Sequence, residues 1–251
     1  MLFRTLVDVP RWTNPMQAHQ HFVLLGSCFA QNMGELFLSY GLDAVCNPLG
    51  VTYNPESIRI QVQESLSLTF SKGAETLPLF SLPLEGKGEA VWRCWWASTL
   101  LSDTDEDRFR ETIGKTFLGL GEALRGADFL FVTLGTNVCY RLKENGLTVA
   151  NCHKAPSRLF EEVALDVRAC TEILSKMMEL LSETCPKLRV VFTVSPYRYK
   201  KYGFHGSQLA KATLLLAVDE VCRLFPEKAS YFLPMNSCST SFATTASMPT
   251  T

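Results

Sequence analysis

The sequence predicts an α/β fold in which a mainly parallel sheet is covered by helices. Three short apolar runs carry this reading: Phe22 to Leu25, Phe129 to Leu134 and Arg189 to Val194. Each is rich in Val, Phe and Leu and ends in small or turn residues, at Gly26-Ser27, Gly135-Thr136 and Ser195-Pro196. Runs that are apolar on both faces are what parallel strands look like when helices cover both sides. Stretches with helical spacing of apolar residues fall between them.

Taken in order, the first helix follows Ser27 directly, from Phe29 to Tyr40, and stops at Gly41. The stretch from Ser67 to Ala97 breaks the rhythm. It holds prolines, glycines and the Trp92/Trp95/Trp96 cluster, and reads as an irregular insertion around residues 67–97 packed over one edge of the fold. A second helix is expected from Asp103 or Asp105 to Leu124, ahead of Gly126. A third is expected over 157–182. Phe160, Val163, Val167, Cys170, Leu174, Met177 and Leu181 line one face there, with Ser157 as cap and Pro186 beyond the end. This helix joins two apolar strands, as in a βαβ crossover. A last helix is expected from Ser207, carrying Leu209, Ala212, Leu216 and Leu224.

Composition narrows the function. Hydrophobic residues make up 47% of the 251, enough for a sizeable core and against wholesale disorder. The net charge of −1 and the lack of a basic run argue against nucleic acid and anionic membranes as partners. Nine cysteines, an odd number with no C-x-x-C pair, give no metal-site spacing and suit a reducing compartment. The start, MLFRTLVDVP, lacks the long apolar stretch of a signal peptide, and no segment approaches the ~20 apolar residues of a membrane span. The expectation is a cytoplasmic protein without metal or cofactor.

The feature with most chemical content is a strand, then Gly26-Ser27, then a helix. Ligands of open α/β sheets bind beyond the carboxyl ends of the strands, so Ser27 stands at the mouth of a site. It also stands at a helix N-terminus, whose N–H groups favour an anion and can stabilise the oxyanion of acyl transfer. The alternative is that Ser27 only caps the helix. Gly135-Thr136-Asn137 ends the second strand in the equivalent place. The Asn137 amide can donate to an oxyanion, or Asn137 can be a turn residue. Asn151 and His153, in VANCHKAP, are candidates for substrate contact or base, or form a satisfied loop. His205, in YGFHGSQLAKA, is the candidate base just before the last helix. No Asp or Glu lies within three residues of His205, so a Ser–His–acid triad is incomplete as written. Cys28 is an alternative nucleophile, apt at a helix N-terminus although expected to point into the fold beside Phe29.

Gly26-Ser27-Cys28-Phe29-Ala30 is the naming motif of the GSCFA-domain family, which the chain resembles. The resemblance continues in order through NPLGVTYNPESI (Asn47 to Ile58), VTLGT (Val132 to Thr136), VANCHK (Val149 to Lys154), FTVSP (Phe192 to Pro196) and GFH with Q-L-x-K-A-T (Gly203 to Thr213). It implies a three-layer α/β/α fold related to the SGNH (GDSL-like, flavodoxin-like) hydrolases, as one domain over 1–234. It also implies that Ser27 matches the superfamily's nucleophile, with Gly135 and, loosely, Asn137 as oxyanion donors. Esterase or acyl-transfer activity on a small-molecule or glycan ester follows by analogy of fold. Where the family usually shows Asp-Gly, this chain has Tyr202-Gly203.

The superfamily's Asp-x-x-His is expected near the C-terminus, after a segment resembling Y-E-x-x-x-D-E-L-R-D-Y-R-F-Y. From Asn236 to Thr251 the chain is instead Ser/Thr/Ala-rich and aperiodic. Codons can be chosen from Pro234 onward that, read two positions later, encode YEFVLDELRDYRFYADY. A frameshift near Leu233 is therefore expected, with 235–251 a disordered, aberrant tail, the C-terminal motif lost and the hydrolase impaired. The competing functional reading is a non-catalytic binding module for a carbohydrate or acyl ligand, in which Trp92, Trp95 and Trp96 stack on sugars or else form core.

Overall fold

A computed structural model describes residues 16–67, 74–83 and 90–232. Strand β1 (His21–Gly26) leads into helix α1 (Cys28–Ser39), followed by β2 (Asp43–Cys46) and α2 (Pro55–Ser67). Next come β3 (Leu79–Pro83), β4 (Ala90–Cys94), α3 (Glu106–Gly126), β5 (Phe129–Leu134), β6 (Val138–Leu142), β7 (Thr148–Val149) and β8 (Phe160–Ala164). The chain continues with α4 (Val167–Thr184), β9 (Arg189–Val194), α5 (Gly203–Leu224) and β10 (Ala229–Tyr231). The expected tail, 235–251, lies outside the described residues.

The central sheet is parallel throughout, in the order β10-β9-β5-β1-β2. Its register pairs Gly26 with Thr133 and Leu134 with Val194. The carboxyl ends of β1, β5 and β9 therefore meet on one rim, bringing Ser27, Gly135 and Ser195 to the same edge. Successive strand residues face opposite sides. Val23, Leu25, Leu130, Val132, Val190 and Phe192 face one way and pack with residues of α2, α3, α4 and α5. Phe22, Leu24, Phe129 and Val191 face the other and pack with Ala30 and Phe37 of α1. The result is a three-layer α/β/α fold, as the apolar runs imply.

Side-chain caps set the helix starts. Asp105 accepts from the Arg108 N–H at 2.8 Å to open α3, and Asp166 accepts from the Ala169 N–H at 2.7 Å to open α4. The second of these corrects the helix expected over 157–182. Phe160 to Ala164 is a strand, paired antiparallel with β6, and α4 begins only after Asp166. The three-residue spacing of Phe160 and Val163 suits a helix, but β6 offers an open edge and the Asp166 cap stops the helix from running further back. The last helix starts at Gly203 (φ +65°), four residues before the expected Ser207. The Ser207 hydroxyl donates to the Tyr199 carbonyl at 3.1 Å instead of capping.

Within 67–97, β3 and β4 form an antiparallel hairpin. Trp95 stacks on Phe80 with centroids 3.5 Å apart and packs with Leu142, Val149 and Phe160. The Trp96 indole donates to the Thr148 carbonyl at 3.1 Å, and Trp92 packs against the main core. Trp95 is thus core, while Trp92 and Trp96 are half-buried against it.

Helices α2 and α3 approach so closely that a Cβ on Gly121 would strike the Ser65 carbonyl, whereas Gly119 on the same helix faces open space. Gly121→Ala is expected to cost about 1–3 kcal/mol through forced separation of the helices. Gly119→Ala is expected to gain up to about 1 kcal/mol from helix propensity alone. The denaturant midpoints of the two variants, which should move in opposite directions, check the packing.

Candidate active site

The turn that presents Ser27 is held from three sides. Gly26 has φ +130°, a conformation that suits glycine, and a Cβ there would collide with the Thr133 carbonyl. The Gly26 N–H donates to the Asn47 side-chain oxygen at 2.8 Å, and its carbonyl accepts from the Thr52 N–H at 3.0 Å. The Ser27 N–H donates to the Thr133 carbonyl at 3.0 Å. Asn47 itself adopts φ +40° to reach this position. The NPLGVT segment thus acts as a latch on the serine turn, a role the sequence reading does not assign to Asn47.

Ser27 is 3% exposed, and its Oγ accepts from the Phe29 N–H at 3.3 Å as the cap of α1. It also lines a cleft of about 1010 Å³ at the carboxyl rim of the sheet. The walls come from the start of α1, from Tyr53 ahead of α2, from the 195–199 segment after β9, and from α5. The Cys28 N–H, first of the helix, has no intrahelical acceptor. Cys28 is exposed in the cleft with its Sγ 3.7 Å from the Tyr53 hydroxyl. This corrects the expectation that the thiol turns inward: position N1 of α1 faces the cleft, and Ala30 takes the inner side. The Tyr53 hydroxyl is pushed up to about 12, by burial first and then by the Cys28 contact.

Lys211 of α5 is the residue the sequence reading misses. It is 6% exposed yet lines the same cleft, and its Nζ donates to the Gly135 carbonyl. Its ammonium lies 5.5 Å from the centre of the Tyr199 ring. Burial lowers its protonation to about 8. In the pattern QLAKATLLL a lysine reads as a solvated helix position, and only the packing of α5 against the 135 and 199 segments buries it.

The other sequence candidates lie away from the cleft lining. The Gly135 N–H, together with that of Thr136, donates to the Tyr53 carbonyl, at 2.7 and 3.1 Å, so it is already committed. A Cβ at Gly135 would come within 2.7 Å of the Tyr199 hydroxyl and within 3.2 Å of the Tyr53 ring, so both side chains close on this residue. The Asn137 amide donates to the Leu165 carbonyl at 2.6 Å and tethers β5 to the start of α4. The Asn151 side chain accepts from the His153 N–H at 2.7 Å and the Thr99 hydroxyl at 3.1 Å. His153 is 1% exposed at φ +52°, with Nε2 2.9 Å from the Cys94 carbonyl and Nδ1 3.2 Å from the Thr99 hydroxyl. Its ring meets Phe80 and Trp95 edge-on. His205 is exposed on the first turn of α5 and is not part of the cleft wall. Among the described residues the cleft therefore holds Ser27 but no imidazole or carboxylate.

Burial pushes the His153 imidazole down to about 4, against the pull of the Cys94 carbonyl and with help from the Arg93 charge. Between its ordinary value of 6.5 and that value the unfolded chain binds a proton that the folded chain refuses. Stability from this group is thus present above the ordinary value and lost as pH falls toward 4, on the order of 3 kcal/mol in all. Urea unfolding as a function of pH should show this acid sensitivity, and His153→Gln should flatten it.

Cysteine reactivity gives a second check. Cys94, Cys139, Cys170 and Cys185 are buried, and Cys46, Cys152 and Cys222 are half-buried with thiols raised by desolvation. Iodoacetamide on the native protein should modify Cys28 first among the described cysteines, as read by peptide mass spectrometry.

Among the described residues no helix is long and apolar enough to cross a membrane, and no group of three metal-ligating side chains is found. No curated protein and no solved structure matches the chain. The model of the GSCFA family matches residues 21–235, from the first residue of β1 to beyond β10, and so includes the serine turn, its Asn47 latch and the whole cleft wall. The chain belongs to the GSCFA family.

Proposed function

We propose that this fold is a serine hydrolase scaffold of esterase or acyl-transfer type, acting on a small-molecule or glycan ester. The observation that carries the reading is the position of Ser27: beyond a parallel strand, at the N-terminus of α1, on the wall of a cleft of about 1010 Å³. The Ser27 Oγ attacks the acyl carbon, the alkoxide leaves, and water then releases the acid from the acyl-enzyme. The developing oxyanion faces the Cys28 N–H and the positive end of the α1 dipole.

The proton of Ser27 needs an acceptor. His205, the candidate base in this chain, stands outside the cleft wall, and His153 is consumed by Cys94 and Thr99. We assign the base to the Asp-x-x-His that the family resemblance places just beyond the shifted-frame segment starting near Leu233. The chain as written is then a poor catalyst, because a positioned base is worth roughly 10²–10⁴-fold in rate. The eight described cysteines are all unpaired, which supports a cytoplasmic, reducing location.

A second reading, with Cys28 as nucleophile, is favoured by the exposure of its thiol in the same cleft. A fluorophosphonate probe separates the two. It should label a frame-restored chain at Ser27 and the written chain about 100-fold or more slowly. The label should vanish in Ser27→Ala and persist in Cys28→Ser. A restored chain that is never labelled at Ser27 would leave a binding module. Sequencing the gene through Leu233 tests the frame directly: codons incompatible with the shifted peptide would end that part of the proposal.

A further inference from the structure

The charges on the cleft are one-sided. Its wall carries the ammonium of Lys211 and the guanidinium of Arg198, and no Asp or Glu among the described residues. Arg198 sits on the exposed rim, 5.9 Å from the centre of the Phe204 ring. Lys211 lies deep, with a backbone carbonyl and an aromatic face as its neighbours, and no carboxylate of the described residues is bonded to it. A buried ammonium without a counter-charge is costly, and an anion entering the cleft would supply one. The tyrosines around it, Tyr53, Tyr197 and Tyr199, pack edge-to-face and present both rings and hydroxyls.

We propose that the cleft binds a ligand bearing a carboxylate or phosphoryl anion on a ring or short acyl body, with Lys211 as the counter-charge and the tyrosines as walls. As a substrate class for the Ser27 reaction this rests on the hydrolase reading: the ester is itself anionic, and Lys211 anchors the charge while the acyl bond lies toward α1. Burial lowers Lys211 to about 8, and an anion arriving beside it would favour the ammonium form.

Benzoate and benzamide test this, because they share shape and ring and differ in charge. Titrated into the full chain and followed by ligand-detected NMR, benzoate should bind at least about ten-fold more tightly than benzamide. The preference should fall to within about two-fold in Lys211→Met and survive in Lys211→Arg. Benzoate, and not benzamide, should also slow alkylation of Cys28 in the unmodified protein, which places the site without any variant. Equal affinities, absence of benzoate binding, or an unchanged preference in a folded Lys211→Met protein would overturn the proposal. Ser27→Ala should keep benzoate binding while losing the fluorophosphonate label. With the label read on the frame-restored chain, discrimination without labelling rejects the hydrolase alone, and labelling without discrimination rejects the anion site alone.

Discussion

The ends of β1 and β5 come together so tightly that there is no room for a side chain at position 26. From this one steric fact the site follows. With only hydrogen at Gly26, the Ser27 N–H reaches the Thr133 carbonyl and continues the sheet by one bond past the strand. The chain then turns into α1 with its hydroxyl on the rim. Asn47 and Thr52 complete the fixation by taking the N–H and carbonyl that the turn frees. A larger residue would part the strand ends. Gly135, held through its N–H to the Tyr53 carbonyl, would move away from Ser27 as they parted.

The parts of this architecture that can be read in sequence are those whose signal is local. β5 and β9 match their apolar runs end for end, because strands buried on both faces need no alternation to be recognised. The starts of α1 and α3 announce themselves through Ser27 and Asp105, whose side chains bond the first turn. The helix α2 carries the same kind of start, with Asn54 accepting from the Ser57 N–H at 2.9 Å ahead of Pro55, but its body is hard to read. Its inner face carries Ser57, Gln61 and Ser65, so hydrophobic periodicity fails on it. Gln61 is buried because it bonds the Trp96 carbonyl and Thr52, partners that only the folded chain supplies. The strands β6, β7 and β8 are short, and their pairing is decided by neighbours distant in sequence.

The same division runs through the site. Ser27 is legible because the strand–Gly–Ser–helix order states its position. Asn137 and His153 are misleading for a common reason: a polar residue near a strand end looks available until its partner is known. In both cases the partner is a backbone carbonyl, Leu165 or Cys94, on another element. Lys211 errs in the opposite direction. It looks solvated in a helical pattern, and burial against Gly135 and Tyr199 turns it into the strongest charge inside the cleft.

The capping role of Ser27 and its proposed chemical role do not compete. A hydroxyl has one proton to give and two lone pairs to accept with. Capping uses a lone pair, since the Phe29 N–H is the donor, and leaves the proton unassigned. The cap also holds the Ser27 oxygen over the first turn of α1. What distinguishes a cap from a nucleophile is thus an acceptor for that proton on the cleft side. In its ammonium form Lys211 meets the charge proposed for a ligand, and in that form it has no lone pair with which to take the proton. The cleft as described therefore brings together the Ser27 hydroxyl, the first N–H of α1 and the Lys211 amine. The proposed hydrolase needs one component more, a proton acceptor on the cleft side.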